Sequence, residues 1–335
     1  MSRNILIVGA TRGLGASLRN LYATEPSTRV FATTRSDNAP ESYSHPHVSW
    51  LPNIDLTKPD VGERLVSQLP SSTKLAAVII TAGYFGLETF DTPDWDKQIQ
   101  MYTTSAIAPV FVVQKLVKCG ILGKGSKVIL VSSESGSITL RHEKEGGGNY
   151  GHHASKAALN MVGKLLSLDL KPNGIAVGLV HPGFMRTEMT KGVGYDKYWD
   201  AGGAVTPDEA ARSLAGFVDK FDISKTGEYW APRGPGFGPS LFPYGWVQAY
   251  VQCELKARLQ VTMSKASTGL LSWALPTIDS GYWYALMHIP AYPSICVLSR
   301  FHEATPEYIY LGHFSWLSDP GRRAHSTKKC NWPKA

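Results

Sequence analysis

The feature that most constrains the fold is a glycine-spaced turn between an apolar strand pattern and a helix pattern near the start of the chain. Residues 5–8 form a β-branched apolar run, and Gly9, Gly13 and Gly15 follow it directly. Glycine permits a tight turn and lets the backbone approach an anion, which the N-terminus of the following helix attracts. This order predicts a βαβ unit that cradles a dinucleotide pyrophosphate, whereas a glycine motif alone is also compatible with a simple packing turn.

Similar apolar runs recur at intervals that leave room for a crossover helix. Strands are predicted at residues 5–8, 30–33, 77–80, 127–131 and 176–180. Spaced apolar positions predict helices at residues 16–23, 59–68, 95–118, 153–170 and 206–220, the last with Thr206 as N-cap and Glu209 at its third position. Strands that are apolar on both faces are typical of a parallel sheet covered by helices on both sides. We therefore predict an α/β fold over residues 1–235, a doubly wound parallel sheet of the Rossmann type.

The character of the chain changes after residue 230. Residues 232–243 are rich in glycine and proline, and residues 236–335 carry no motif to which chemistry can be attached. We expect a C-terminal extension of uncertain order, disordered or poorly packed, of the kind that a shifted reading frame or altered splicing produces. Asp279, His288 and three prolines interrupt residues 269–298, which therefore lack the roughly 20 apolar residues that a membrane span needs.

The charge, the start of the sequence and the cysteine spacing indicate which classes of partner and which cellular compartment to expect. The net charge is +7, but the basic residues are scattered and form no long run, which argues against nucleic-acid binding. The chain begins without the pattern of a secretory signal. Cys119, Cys253, Cys296 and Cys330 lie too far apart for a metal or redox motif. We expect a cytoplasmic protein that binds neither nucleic acid, membrane nor metal.

The G-x-x-x-G-x-G spacing of residues 9–15 resembles that of the short-chain dehydrogenase/reductase family. The resemblance extends over residues 4–230. Residues 149–160 and 180–187 are similar to the C-signal-like carbonyl reductase branch, fungal members included, some of which serve secondary metabolism. The resemblance implies a nicotinamide cofactor, a small-molecule carbonyl or alcohol substrate, and a homodimer or homotetramer built on the fourth and fifth helices.

The resemblance also implies a set of cofactor-binding residues. Arg12 and Arg35 stand where family members that favour NADP(H) carry basic residues, and a guanidinium fork suits the 2′-phosphate of that cofactor. Asp55 matches the adenine-contacting acid of the family. Each of three matches also has a purely structural alternative: Asp55 could cap a turn, Pro182–Gly183 could form an ordinary turn, and Arg35 could be a solvated side chain. The full set is Gly9, Thr11, Arg12, Gly13, Leu14, Gly15, Arg35, Asp55, Leu56, Ala82, Gly83, Lys156, Pro182, Gly183 and Thr187.

The catalytic positions match the family only in part. Lys156 matches the family lysine and Ser133 the family serine, but the residue four before the lysine is His152 where the family has tyrosine. Tyr150 precedes Lys156 by six residues, roughly 240° around a helix, so it replaces the missing phenol only if the helix start is unwound. Ser105 stands where many members keep asparagine. The substrate pocket is expected from residues 84–89, 135–149 and 187–199.

Two hypotheses follow from His152. An imidazolium can donate a proton to a developing alkoxide, which favours an NADP(H)-dependent oxidoreductase that uses Ser133, His152 and Lys156. The Lys156 ammonium, however, lowers the pKa of His152 and favours the neutral ring, a poor acid. The alternative is therefore a catalytically impaired NADP-binding sensor or scaffold. A metal site at His152 and His153 is disfavoured because adjacent helical residues point in different directions.

Overall fold

The computed structural model describes residues 3–40, 43–141, 143 and 146–232, together with the backbone of residues 242–243, 283–288, 295–302 and 305–313. The chain divides into two compact units, Met1–Arg258 and Leu259–Ala335. The strands described in the first unit are β1 (Arg3–Val8), β2 (Thr28–Thr33), β3 (Val48–Leu51), β4 (Ala77–Ile80), β5 (Lys127–Val131), β6 (Ala176–Val180), β7 (Tyr229–Ala231) and β8 (Phe242–Pro243). Its helices are α1 (Gly13–Ala23), α2 (Val61–Ser67), α3 (Trp95–Tyr102), α4 (Ala108–Lys118), α5 (Tyr150–Leu170), α6 (Glu188–Gly192) and α7 (Pro207–Lys220).

The sheet of the first unit has the order β3-β2-β1-β4-β5-β6-β7-β8. From β3 to β7 every neighbouring pair described is parallel, and β8 pairs antiparallel with β7 at the edge. The strand order reverses between β1 and β4. In open α/β sheets a ligand binds at the carboxyl ends of the strands beside such a reversal, so the topology itself indicates where the site lies.

The core lies on both sides of this sheet. Side chains of β1 alternate between the faces, with Leu6 packed on one side and Ile7 on the other. Helices α2, α4 and α5 bury their apolar faces against the first side, for example through Val112. Helices α1 and α7 cover the second side, for example through Leu18 and Leu214. The doubly wound Rossmann architecture predicted from the apolar runs is therefore confirmed.

Several elements differ from the prediction. The strands β3 and β7 were not predicted, and α5 begins at Tyr150 rather than at residue 153. The predicted helix over residues 95–118 contains a π-helical turn, Thr103–Ile107, between α3 and α4. The predicted N-cap of α7 is confirmed, because the Thr206 hydroxyl accepts the Glu209 N–H at 3.3 Å while the Glu209 carboxylate accepts the Thr206 N–H at 2.8 Å.

The second unit contains an antiparallel sheet. Its strands are β9 (Trp283–His288), β10 (Ile295–His302) and β11 (Thr305–His313), in the order β11-β10-β9. Most of residues 236–335, to which the expectation of a poorly packed extension applied, lie outside the described residues. Within the part of the chain that the structure describes, no helix is long and apolar enough to cross a membrane.

Candidate active site

A cleft of about 530 Å³ opens at the carboxyl ends of the parallel strands. The loops after β1, β2, β4, β5 and β6 line it, because parallel strands deliver their following loops to one edge of the sheet. The cleft brings together every cofactor-binding residue implied by the family resemblance, together with Ser133 and His152. It also contains residues from the three segments expected to build the substrate pocket, among them Phe85, Ser135 and Tyr195.

The glycine turn forms a cradle in which side chains have no room. Gly9 has a φ of 93°, and a Cβ there would lie 2.8 Å from Ala82. A Cβ at Gly15 would overlap the Gly9 carbonyl oxygen. The first turn of α1 contains no acidic residue, and its N-cap, Arg12, makes no side-chain capping bond. The free N–H groups and the positive end of the helix dipole suit a pyrophosphate, so the residues present fit a dinucleotide.

Two arginines, Arg12 and Arg35, line the cleft after β1 and β2. Arg12 is 57% exposed and its Nη1 lies 3.7 Å from Glu188 Oε2, while Arg35 is exposed just after β2. Asp55 uses its Oδ1 to accept the backbone N–H and the hydroxyl of Thr57, both at 2.9 Å. Asp55 therefore caps a turn as well as lining the cleft. The two guanidinium groups are the kind of donor that suits a phosphate monoester.

Ser133 and Lys156 approach the middle of the cleft from two elements. Ser133 follows β5, and its Oγ accepts the Ser135 N–H at 3.1 Å, so its own hydroxyl proton is available. Lys156 projects from α5, is 8% exposed, and donates from Nζ to the Val131 carbonyl at 3.0 Å. Burial lowers the pKa of Lys156 to about 8. No carboxylate pairs with it among the residues that the structure describes.

His152 stands one turn before Lys156 on α5. Its ring stacks on that of Phe85, with 4.0 Å between the ring centroids and 21° between the planes. The buried Nδ1 has no hydrogen-bond partner in the described chain. Burial, followed by the positive charge of Lys156, lowers the pKa of His152 to about 3. The sequence predicts a lowered pKa from Lys156, and the structure agrees in direction, although burial contributes more to the shift. The His152 ring is therefore neutral near pH 7.

Two other candidates lie outside the reacting centre. Tyr150 is the first residue of α5, is 40% exposed, and does not line the cleft. Because α5 is regular from Tyr150 onward, the unwound start that would carry the phenol inward is not formed. Ser105 lies in the π-helical turn, buried, and its Oγ has no hydrogen-bond partner within the described residues. Its neighbour Thr104 lines the cleft instead.

Comparison with known proteins decides the family. The family model described as short chain dehydrogenase matches residues 3–197. The chain belongs to the short-chain dehydrogenase family. It is 31% identical over 231 residues to the 1-hydroxy-2-glutathionyl-2-methyl-3-butene dehydrogenase of Rhodococcus sp. (strain AD45), covering 67% of this chain and 94% of the relative.

Further relatives agree with this family. The C-signal protein of Myxococcus xanthus is 33% identical over 96 residues, which are 29% of this chain and 56% of that protein. Among solved structures, the NADPH-bound carbonyl reductase from chicken fatty liver superposes with a TM-score of 0.59 at 23% identity. That comparison covers 71% of this chain and 94% of the reductase chain and concerns the fold.

A buried carboxylate holds the start of the helix that carries His152 and Lys156 in this short-chain dehydrogenase. Glu88 Oε2 accepts the Gly151 N–H at 2.8 Å, and Oε1 accepts from the Gln98 amide at 2.7 Å and from the Asp94 N–H at 3.2 Å. Burial raises the pKa of Glu88, but these three hydrogen bonds outweigh it and hold the pKa below its ordinary value. Glu88 thereby fixes the N-terminal ends of α3 and α5 relative to each other.

The sequence did not point to His181. Glu88, Phe85 and Tyr195 lie within segments expected to build the substrate pocket, but none of them was singled out. His181 follows β6, accepts the Glu134 N–H on Nδ1 at 3.4 Å, and lies with Nε2 3.7 Å from Glu134 Oε2. Burial lowers the pKa of His181. The sequence signal that could have identified His181 as a site residue is its position directly before Pro182–Gly183. Glu88 carries no such signal, since only the fold brings it to α5.

Proposed function

We propose that this short-chain dehydrogenase is an NADP(H)-dependent oxidoreductase that acts on the carbonyl or secondary alcohol group of a small molecule. The observation that carries this proposal is that one cleft joins the glycine cradle and two arginines to Ser133, His152 and Lys156. The NADPH bound to the chicken carbonyl reductase supports the choice of cofactor by analogy. We place the protein in the cytoplasm as a homodimer or homotetramer, with a role in secondary metabolism.

The preference for NADP(H) follows from charge. Arg12 lines the cleft from the glycine turn, and Arg35 lines it from the end of β2. An acidic residue at the end of β2 would bond the ribose hydroxyl of NAD(H) and repel a 2′-phosphate. The residue at the end of β2 is Arg35, and Asp55, an acid that lines the cleft, follows β3 instead. The exposed guanidinium groups therefore favour the phosphorylated cofactor.

Each residue at the reacting centre has a distinct task. When bound, the cofactor supplies or accepts the hydride. Ser133 donates its free hydroxyl proton in a hydrogen bond to the substrate oxygen. Lys156, a buried cation without a carboxylate partner in the described chain, binds the ribose hydroxyls. His152 polarises the substrate oxygen through the single N–H of its neutral ring, a role that neutral imidazole can fill when burial suppresses its protonation.

The neutral state of His152 also supports the second candidate function, a catalytically impaired NADP-binding sensor or scaffold. Loss of a general acid costs about 10²–10⁴-fold in rate while cofactor binding survives. The cleft of such a protein would hold the cofactor without turning over a substrate. The two functions predict different effects of the His152→Tyr substitution on the rate of carbonyl reduction.

The test is reduction of a panel of carbonyl compounds with NADPH by the natural protein and by the His152→Tyr variant. We expect turnover by the natural protein and less than about a tenfold gain in the variant, because the site is built around a neutral imidazole. NADPH binding without turnover, together with a gain of about 10²–10⁴-fold in the variant, would instead identify an impaired protein.

A further inference from the structure

The start of α5 leaves the reacting centre without the expected proton donor. Tyr150 lies outside the cleft, and His152 is half-buried and neutral, with a pKa of about 3. A neutral imidazole polarises an oxygen through a hydrogen bond, but it does not readily give up its proton. Reduction of a carbonyl nevertheless requires one proton for the oxygen. A phenol that faces the cleft can supply this proton, which is the task that the family gives to the tyrosine four residues before the lysine.

Three phenols line the cleft within the described residues: Tyr84, Tyr195 and Tyr198. Tyr195 is separated from His152 by one intervening ring, that of Phe85. The Tyr195 ring stands edge-on to Phe85, with 5.8 Å between the centroids, and Phe85 stacks on His152 at 4.0 Å. Tyr198 lies further along the same chain of rings, 6.2 Å from Tyr195, and is 52% exposed. Of the three phenols, Tyr195 is therefore the one that the ring contacts join to His152 through a single residue.

Hydrogen bonds orient Tyr195 from both ends. Its hydroxyl oxygen accepts the side-chain N–H of Asn149 at 3.3 Å, and its backbone N–H donates to the Thr190 carbonyl at 2.8 Å. Asn149 is the N-cap of α5, in the left-handed conformation with a φ of 51°. Because the oxygen accepts from Asn149, the phenolic proton is free to be donated elsewhere. The N-cap residue of the helix that carries His152 therefore orients the Tyr195 hydroxyl.

We propose that Tyr195 is the proton donor in carbonyl reduction, an inference that rests on the proposed function. The carbonyl carbon receives a hydride with its electron pair, for which NADPH is the source, and the C=O π pair moves to oxygen. That oxygen takes the proton from Tyr195 Oη, so an alcohol and NADP⁺ result. The tyrosinate regains a proton from water through the open side of the cleft. In alcohol oxidation the same atoms move in reverse.

The first test is the rate of carbonyl reduction by Tyr195→Phe, with Tyr150→Phe as a matched control from outside the cleft. We expect Tyr195→Phe to lose about 10²–10⁴-fold in kcat, as removal of a general acid does. Its NADPH dissociation constant should be unchanged, which shows that the fold and the cradle are intact. Tyr150→Phe should keep the wild-type rate. A wild-type rate in Tyr195→Phe would overturn the inference and leave the proposed function standing.

The second test does not depend on turnover. Protein labelled with ¹³C at the tyrosine ζ carbon is saturated with NADP⁺, which cannot reduce a carbonyl, and the reducible carbonyl compound is added. We expect the signal that disappears in Tyr195→Phe to shift, and to shift less in Asn149→Gly, which keeps the left-handed turn but lacks the orienting N–H. No shift on saturation would contradict a hydrogen bond from Tyr195 to substrate. If the natural protein neither binds NADPH nor reduces any carbonyl, the proposed function and this inference fail together.

Discussion

His152 and Lys156 are two basic side chains that α5 presents to the cleft. Folding lowers both pKa values, His152 to about 3 and Lys156 to about 8, with burial as the largest cause for each. Neither has a carboxylate partner among the described residues. This arrangement disfavours the protonated forms of both side chains in the cofactor-free protein. The free energy of unfolding should therefore depend on pH.

Stability should fall as the pH falls from 6.5, the ordinary pKa of histidine, towards 3. In that window the unfolded chain takes up a proton at His152 that the folded chain does not bind, so the free energy of unfolding decreases with decreasing pH. His152→Gln removes this contribution, and its free energy of unfolding should depend less steeply on pH. Urea unfolding of both proteins at several pH values measures the two slopes, and parallel slopes would contradict the burial of a neutral His152.

Residue types and spacing predicted most of the cofactor site but not the residues that support it. Gly9, Gly13 and Gly15 are recognisable because they follow an apolar strand pattern and open a helix pattern, which is the context of a phosphate-binding turn. The replacement of tyrosine by His152 is visible in the same way. Glu88 and Tyr195 have no local signature, since their roles arise from contacts with α5 across more than 40 residues of chain.

Helix α5 owes the position of its first turn to Glu88. The carboxylate accepts the Gly151 N–H one residue before His152, and the same carboxylate bonds the N-cap residue of α3. A buried N–H group without a hydrogen-bond acceptor at a helix start costs free energy. The Glu88 side chain therefore stabilises both α3 and α5. It also sets where the His152 ring lies against Phe85.

Glu88→Gln should destabilise the protein by about 1–3 kcal/mol, because the amide turns a donor towards one of the three groups that now donate to the carboxylate. Carbonyl reduction should fall with little change in the NADPH dissociation constant, since Glu88 does not line the cleft. Asp91→Asn, an exposed change in the same loop, is the control. Equal urea midpoints for the two variants would show that Glu88 does not hold α5.

The strands that the sequence predicts carry a clear apolar pattern of their own, whereas the strands that it misses depend on pairing with a neighbouring strand. β1, β2, β4, β5 and β6 are buried on both faces and read as continuous apolar runs. β3 is only partly buried and includes Ser49, and β7 has three residues, so both depend on pairing with a neighbour. The π-helical turn has only five residues and is continued on both sides by α-helix, so apolar periodicity over a longer window does not reveal it.

For the molecule as a whole, we propose that residues 1–235 are the cofactor-binding domain. The cleft, both faces of the core and β1 to β7 all lie within them. A chain ending at residue 235 loses the two-residue edge strand β8 and the second unit. It should remain soluble, unfold cooperatively and bind NADPH as the full chain does. Aggregation of the shortened chain, or loss of NADPH binding by it, would show that residues 236–335 belong to the functional fold.

The most direct test of the account is a calorimetric titration of the full-length protein with NADPH and, separately, with NADH. The glycine cradle, Lys156 and the two arginines predict NADPH binding with a dissociation constant of about 1 μM, near −8 kcal/mol, and NADH binding at least about tenfold weaker. Folded protein that takes up neither cofactor would contradict the assignment of the cleft. Tighter binding of NADH would contradict the role of Arg12 and Arg35.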